Sequence, residues 1–449
     1  MPTQTPTTPV SPKLDVAGMA MPGSATDRGS GTDRIQGLRC RNCGRPEQLG
    51  PSYVCSACFG PLEVVYDYAA IRSLVSRSAI EQRPQGIWRY LELLPVSEPP
   101  ARGLAVGSTP LIAAERLGAG LSIGRLWLKD DTRNPTLSFK DRVVAVATAR
   151  AVEFGADTLA CASTGNLAGA TAAAAAAAGL RAFVFVPADL ETAKIDHALA
   201  YGATVVPIDG TYDQVNRLSM EVADELGWAF VNITLRPFYA EGSKTLAFEI
   251  AERRGWRLPD AVVAPIASGS LFTKVAKGFD ELVAVGLVEP KPVKFIGGQP
   301  SGCAPVATAF EAGTDVIRPV ERPTTIVRSL AIGSPADGRY ALELARRTGG
   351  SIEAIDDRTT AEAIRSAAAL EGIFAETAGG VTIAAAARAR ASGIIGPDDE
   401  VVALLTGNGL KTPDARSFGR TDVPAERGVP GLAPVIAPSL AAFERWLDA

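Results

Sequence analysis

Histidine is almost missing: His197 stands alone in 449 residues. That argues against a Ser-His-Asp triad, a multi-histidine metal centre or a paired-histidine acid/base site. Lysine is scarce too, since ten of the 45 basic residues are Lys and the rest are Arg. A lysine kept inside a motif is therefore more informative than usual, although any single lysine is most often a solvated charge. The longest apolar run, Leu167 to Leu180, is mostly alanine. It falls short of the ~20 residues that span a bilayer. The N-terminus has no hydrophobic signal core, so the protein is expected to be cytoplasmic, with no membrane partner. A net charge of −4 with no compensating basic patch argues against nucleic acid. A small-molecule substrate remains as the expected partner, and self-association stays open. With 47% hydrophobic and 21% charged residues the chain reads as globular, long enough for two to four domains.

Cysteine is unevenly used. Cys40, Cys43, Cys55 and Cys58 form two Cys-x-x-Cys pairs, while Cys161 and Cys303 are isolated. In a cytoplasmic chain this spacing reads as a metal site rather than as disulfides. Four thiolates in two knuckles match tetrahedral structural zinc; the alternative is a ribbon that keeps its thiols without metal. Cys161 lies in a buried strand and reads as packing. His197 reads as structural.

Residues 1–36 are rich in Thr, Pro, Ser and Gly and are expected to be a disordered tail. Residues 37–66 hold the Cys-rich ribbon. Beyond them buried strands alternate with helices, the pattern of open, twisted parallel α/β sheets. The clearest run extends from Thr158–Ala162 through an Ala-rich helix and three further strands to Trp228–Asn232. A second series includes Ala261–Ile266, Val293–Gly297, Ser351–Ile355 and Val401–Leu405. The expected division is a large α/β domain over 67–141 and 233–422, and a small one over 142–232. A Pro-rich linker and terminal helix follow at 423–449. Two such units imply a cleft, with ligands outside the carboxyl ends of the strands.

Four segments could carry chemistry. Asn134 to Arg142 (NPTLSFKDR) places Lys140 in the first turn of an apolar helix. The helix dipole and burial in a cleft would both favour a neutral, nucleophilic amine; the plain alternative is a solvated helix-end lysine. Ser163-Thr164-Gly165-Asn166 lies between a strand and a helix, as an anion site or an ordinary capped turn. Ala267-Ser268-Gly269-Ser270-Leu271 has the same setting and the look of a phosphate cradle. Thr406-Gly407-Asn408-Gly409 puts a hydroxyl at a strand's carboxyl end; alone it reads as a Gly-rich turn.

Taken together, these segments resemble those of the threonine synthases, fold-type-II enzymes that use pyridoxal 5′-phosphate (PLP). Asn232 to Lys244 (NITLRPFYAEGSK) and Glu376-Thr377-Ala378-Gly379-Gly380 add to the likeness, which covers about 38 to 414. Two departures stand out. Leu137 occupies the place of a usual glycine, and Ala-Ser-Gly-Ser-Leu replaces a Gly/Asn-rich loop. The resemblance implies conversion of O-phospho-L-homoserine and water to L-threonine and phosphate. It also implies that Lys140 holds PLP as a Schiff base and later serves as the base. Asn166 would meet the cofactor's 3′-oxygen, Ala267, Ser268, Gly269, Ser270 and Leu271 its phosphate, and Thr406 its ring nitrogen. Ser163 and Thr164 would take the substrate carboxylate. Lys194, Asn232 and Arg236, with Lys244 behind them, would take its phosphate. Three rivals remain: a related enzyme on another phosphorylated amino acid, a threonine or serine dehydratase, and a non-catalytic ligand-binding homologue.

Overall fold

The computed structural model describes residues 34–448, apart from Tyr53, Thr164, 189–191, 210–211, 419–424, 427–428 and 431–433. The expected disordered tail therefore lies outside the described residues up to 33. Its last residues enter β1 (Ile35–Cys40), which pairs antiparallel with β2 (Pro46–Glu47) and β3 (Leu62–Tyr66) in the order β2-β1-β3. Along β3 every second residue, Leu62, Val64 and Tyr66, is buried, so one face of the ribbon turns inward. These side chains join the same hydrophobic cluster as Val143, Phe238 and Phe272, so the ribbon shares the core of the enzyme body.

Two short helices follow, α1 (Tyr68–Leu74) and α2 (Arg77–Glu81), capped by the side chains of Asp67 and Ser76. The large sheet begins with β4 (Leu111–Ala113), α3 (Glu115–Gly120) and β5 (Arg125–Asp130). The chain then leaves it for α4 (Lys140–Glu153) and a small sheet of β6 (Thr158–Ala162), β7 (Arg181–Pro187), β8 (Thr204–Ile208) and β9 (Ala229–Phe230). Helices α5 (Asn166–Ala178), α6 (Thr192–Ala200) and α7 (Tyr212–Leu226) connect these strands. After α8 (Arg236–Glu241) and α9 (Thr245–Arg253) the chain returns to the large sheet. There it forms β10 (Ala261–Pro265), α10 (Ser270–Ala284), β11 (Lys294–Pro300), α11 (Pro305–Glu311) and α12 (Gly338–Arg347). β12 (Ser351–Ile355), α13 (Asp357–Glu371), α14 (Thr377–Ala391) and β13 (Glu400–Leu405) complete it. A hairpin of β14 (Ala425–Glu426) and β15 (Val429–Pro430) precedes α15 (Leu440–Leu447).

The small sheet runs β8-β7-β6-β9 and is parallel throughout; the large one runs β12-β11-β10-β13-β5-β4, parallel except for β4. Each sheet reverses its strand order once, between β6 and β9 and between β10 and β13. Such switch points open a crevice at the carboxyl ends of the strands. The segments 163–166 and 232–236 flank the first, and 267–271 and 406–409 flank the second. One strand is shorter than its sequence suggests. The ladder of β9 ends at Phe230, because the Thr234 hydroxyl accepts the Phe230 N–H and the chain turns back on the Phe230 carbonyl. No helix among the described residues is long and apolar enough to cross a membrane.

Candidate active site

Lys140 opens α4, and the loop before it is laced to the loop after β13. Phe139 N–H donates to the Thr406 carbonyl at 2.9 Å and Asn408 N–H to the Leu137 carbonyl at 3.0 Å. Leu137 takes φ +61°, a left-handed conformation that a side chain makes costly and that glycine adopts freely. The start of α4 is pinned from behind. Arg142, fully buried, donates to Asp131, Glu249, Thr109 and Thr245 at 2.6–3.0 Å. Lys129 shares Glu249 at 2.6 Å. Arg142 therefore fixes the turn from which Lys140 projects. The Lys140 amine donates to the Tyr239 hydroxyl at 3.1 Å.

Glu376, the residue before α14, is the hub of the cleft. Its Oε2 accepts from Asn166 Nδ2 at 2.9 Å, so it joins the small sheet to the large one. The Thr406 side chain lies near enough to favour its charged form, and the Glu376 N–H donates to the Gly407 carbonyl at 2.8 Å. A Cβ on Gly407 would lie 2.3 Å from this carboxylate and would push it from its place. Burial pushes the Glu376 carboxyl up, against the pull of Asn166, Lys411 and Lys140. Burial likewise lowers the Lys411 amine, which Glu376 and Asp141 oppose. Thus Asn166 bonds this carboxylate, while Lys140 and Thr406, distant in sequence, act on its charge.

The 267–271 loop stands at the N-terminus of α10. Gly269 takes φ +94°, and a Cβ there would meet the Asp337 carbonyl at 2.8 Å. Ser268 Oγ accepts from Ser270 N–H at 3.4 Å, and the Ser268 carbonyl accepts from Asp337 N–H at 2.8 Å. The first N–H groups of a helix have no partner within it and suit a phosphate. Ala267 packs beside the core and Leu271 is buried, so they shape the loop from below.

These residues fit PLP. The cleft offers an amine, a donor-rich helix start, an amide and a neutral hydroxyl. Among its buried polar atoms Ser138 Oγ, Thr377 Oγ1, Lys411 Nζ and Asn232 Oδ1 have no hydrogen-bond partner. Unpaired polar atoms of this kind are costly in a dry interior and suit a polar ligand.

Of the residues expected to meet substrate, Ser163 follows β6, and its Oγ accepts from Gly165 N–H at 3.3 Å. Asn232 Nδ2 donates to the Ala162 carbonyl at 3.5 Å. Arg236, a third exposed, donates from Nη2 to Asp337 at 3.1 Å. Thr164 and the Lys194 side chain lie outside the described residues. Lys244 does not face substrate. It is fully buried between Glu241 at 2.6 Å and Glu281 at 2.9 Å, because a lysine in the core needs carboxylate partners.

The four ribbon cysteines converge, every ligand sulfur lying within 4.8 Å of the others. Cys40 and Cys58 sulfurs are 3.5 Å apart, Cys43 and Cys55 3.7 Å. Tetrahedral zinc with bonds near 2.3 Å sets sulfurs about 3.8 Å apart, so the cluster fits that ion. Backbone N–H groups of Asn42, Cys43 and Ala57 point at ligand sulfurs at 3.3–3.5 Å, as knuckles do.

Sequence reasoning misses Glu376, Tyr239, Lys411, Asp337 and Arg41. Glu376 and Tyr239 lie in segments that carry the resemblance. Lys411 is signalled by its rarity, one of ten lysines, two residues past the Gly-Asn-Gly turn. Nothing local marks Asp337 or Arg41.

An amine at a helix start, with two switch-point crevices closing on it, defines a fold-type-II PLP-dependent enzyme. Residues 103–407 match the family model described as pyridoxal-phosphate dependent enzyme. The chain is 36% identical over 379 residues to the threonine synthase of Methanocaldococcus jannaschii, covering 84% of this chain and 93% of that one. It is 33% identical over 365 residues to the threonine synthase of Mycobacterium tuberculosis, covering 81% and 96%. Among solved structures, the processed form of threonine deaminase isoform 2 from Solanum lycopersicum shares the fold, at 21% identity and a TM-score of 0.57, over 78% of this chain and 92% of that one. Diaminopropionate ammonia lyase of Escherichia coli shares it too, at 20% identity and a TM-score of 0.59, over 78% and 91%. The chain belongs to the PLP-dependent enzymes and, within them, to the threonine synthase family.

Proposed function

We propose that the protein is a threonine synthase in activity as well as in family, a lyase that turns O-phospho-L-homoserine and water into L-threonine and phosphate. The observation that carries this reading is one face of α8. Arg236 and Tyr239 lie one turn apart there, the first a cation one-third exposed, the second in contact with Lys140 at 3.1 Å. This neighbourhood supports a substrate that meets an amine at one end and a cation at the other.

Bound to Lys140, PLP supplies the electron sink that makes protons at the substrate's Cα and Cβ removable. The Lys140 amine would be the base, taking the Cα proton, handing it on, and so standing neutral again to take the Cβ proton. Tyr239 holds the amine in position and can pass a proton to or from it. Ser163, Thr164 and the N–H groups that open α5 are the candidates for the substrate carboxylate. Arg236, Asn232 and Lys194 take the phosphate that leaves. The 267–271 loop takes the cofactor phosphate. Asn166 and Thr406 border the ring, and a neutral Thr406 hydroxyl need not keep the ring nitrogen protonated. One structural zinc ion in the Cys40, Cys43, Cys55 and Cys58 cluster completes the cofactors.

The test is release of phosphate and formation of threonine from phosphohomoserine by the yellow holoprotein. Lys140→Ala should abolish turnover and the visible absorbance of the covalently held cofactor. Arg236→Ala should lower kcat/KM by roughly 10- to 150-fold, the value of one charge-assisted contact, while PLP still binds. An active Lys140→Ala enzyme, or a wild type that deaminates threonine faster than it makes it, overturns the reading.

A further inference from the structure

Two guanidinium groups share one carboxylate beside the proposed phosphate loop. Arg236 Nη2 donates to Asp337 Oδ2 at 3.1 Å, and Arg41 Nη1 donates to Asp337 Oδ1 at 3.1 Å. Asp337 is almost wholly buried, and its own N–H is spent on the Ser268 carbonyl at 2.8 Å. Left to itself, an Arg–Asp pair closes as a fork with two parallel hydrogen bonds. Here the second oxygen is taken, so Arg236 is held by one nitrogen.

Arg41 comes from the far end of the sequence. It sits between Cys40 and Cys43 in the first knuckle of the ribbon. Its N–H donates to the Pro61 carbonyl at 2.9 Å, and its guanidinium lies 3.7 Å from the centre of the Tyr340 ring. The next two N–H groups in the chain point at Cys40 Sγ. The backbone that aims Arg41 is the backbone that wraps the Cys cluster.

We propose that Arg41 is a positioning residue of the substrate site. By occupying one oxygen of Asp337 it keeps Arg236 from closing onto that carboxylate, and so leaves Arg236 donors open to the distal phosphate of the substrate. The inference rests on the reading of Arg236 given under Proposed function. It makes the Cys cluster a working part of the site, since the metal-wrapped knuckle sets where Arg41 stands. Without Arg41 the vacated Asp337 oxygen draws Arg236 into a fork, and the substrate anion must compete with a buried carboxylate.

The experiment is steady-state kinetics of full-length holoenzyme with phosphohomoserine, on wild type, Arg41→Ala, Arg41→Lys and Arg236→Ala. Each is measured with its zinc in place and after chelation, with zinc content and PLP affinity read independently. Arg41→Ala should raise KM about tenfold, near one charge-assisted hydrogen bond, and leave kcat and PLP affinity unchanged. Arg41→Lys keeps one donor on Asp337 and should recover most of the loss. Stripping zinc should raise KM in wild type and add nothing in Arg41→Ala. If Arg41→Ala proves unstable, Arg41→Lys and the stripped wild type still decide the matter. An unchanged KM in Arg41→Ala, alongside a raised KM in Arg236→Ala, overturns the role of Arg41 alone. An unchanged KM in Arg236→Ala overturns the phosphate anchor itself. Equal effects of zinc removal on wild type and Arg41→Ala overturn the link to the metal.

Discussion

Leu137 occupies the position where the family resemblance leads one to expect glycine, and its φ of +61° gives the physical reason. A left-handed residue with a Cβ costs about 1–2 kcal/mol, against which glycine gives up about 0.5–1 kcal/mol of unfolded-state entropy. Leu137→Gly should therefore stay within about 1 kcal/mol of wild type in chemical unfolding. Leu137→Val adds β-branching and should lose roughly 1–2 kcal/mol more. A valine variant as stable as wild type would show that the loop relaxes. Asp141, next to Lys140, offers a pH test. Burial pushes it up to about 6, although Thr136 hydrogen-bonds both its oxygens. A carboxyl raised on folding stabilises the fold while protonated; that contribution is full below its ordinary 3.8 and is lost as pH rises through about 6. Asp141→Asn should flatten the stability profile over that window in urea titrations, and an unaltered slope would count against it. At this scale the sequence reveals Lys140 by its rarity and setting. It cannot reveal that Arg142, two residues on, is spent on partners such as Glu249, 107 positions away.

The ribbon shows what becomes legible only with elements assembled. Its cysteine spacing announces a metal cluster, and its alternating β3 announces a buried face. Where that face docks is not written locally. Glu63 of β3 meets Lys274 and Lys277 of α10, and Tyr66 donates to Glu241 at 2.9 Å. Burial alone would raise the Glu63 carboxyl, but Lys274 and then Lys277 outweigh it and hold it at about 2. A carboxyl lowered on folding contributes above its ordinary 4.5 and loses that contribution as pH falls toward 2. Hydrogen exchange should show β1 and β3 losing protection over that range. In Glu63→Gln the protection should be lower at neutral pH and flatter with acid; equal profiles would place the docking energy elsewhere. The strands themselves are readable as buried apolar runs. The shortened β9 is not, because its end depends on one threonine hydroxyl folding back.

Across the whole molecule, the cleft draws one wall from each sheet: Asn166 from the small one, Lys140 and Thr406 from the segments that join and close the large one. A ligand gripped by both walls binds only the assembled chain. PLP at a hundredfold excess over its Kd should then stabilise the apoenzyme by about 2.7 kcal/mol, read as a rise in Tm. Asn166→Ala should diminish that rise, and an undiminished one would remove Asn166 from the cofactor's contacts. The alternation of strand and helix makes both sheets foreseeable, while their strand order, which sets the two crevices, follows from pairings that no local window contains.

That strand order also bears on how the chain is made. β13 lies in the middle of the large sheet, between β10 and β5, yet leaves the ribosome after every other strand of that sheet. At about 5–20 residues per second, translation keeps β5 waiting for its neighbour for on the order of tens of seconds. In the later part of that interval, once β10, β11 and β12 have emerged and before β13 follows, the nascent polypeptide carries two half-sheets with open, apolar edges, the kind of template on which chains aggregate. Yield in a living cell should therefore respond to slower growth and to chaperone supply more than to any gain in the stability of the finished enzyme.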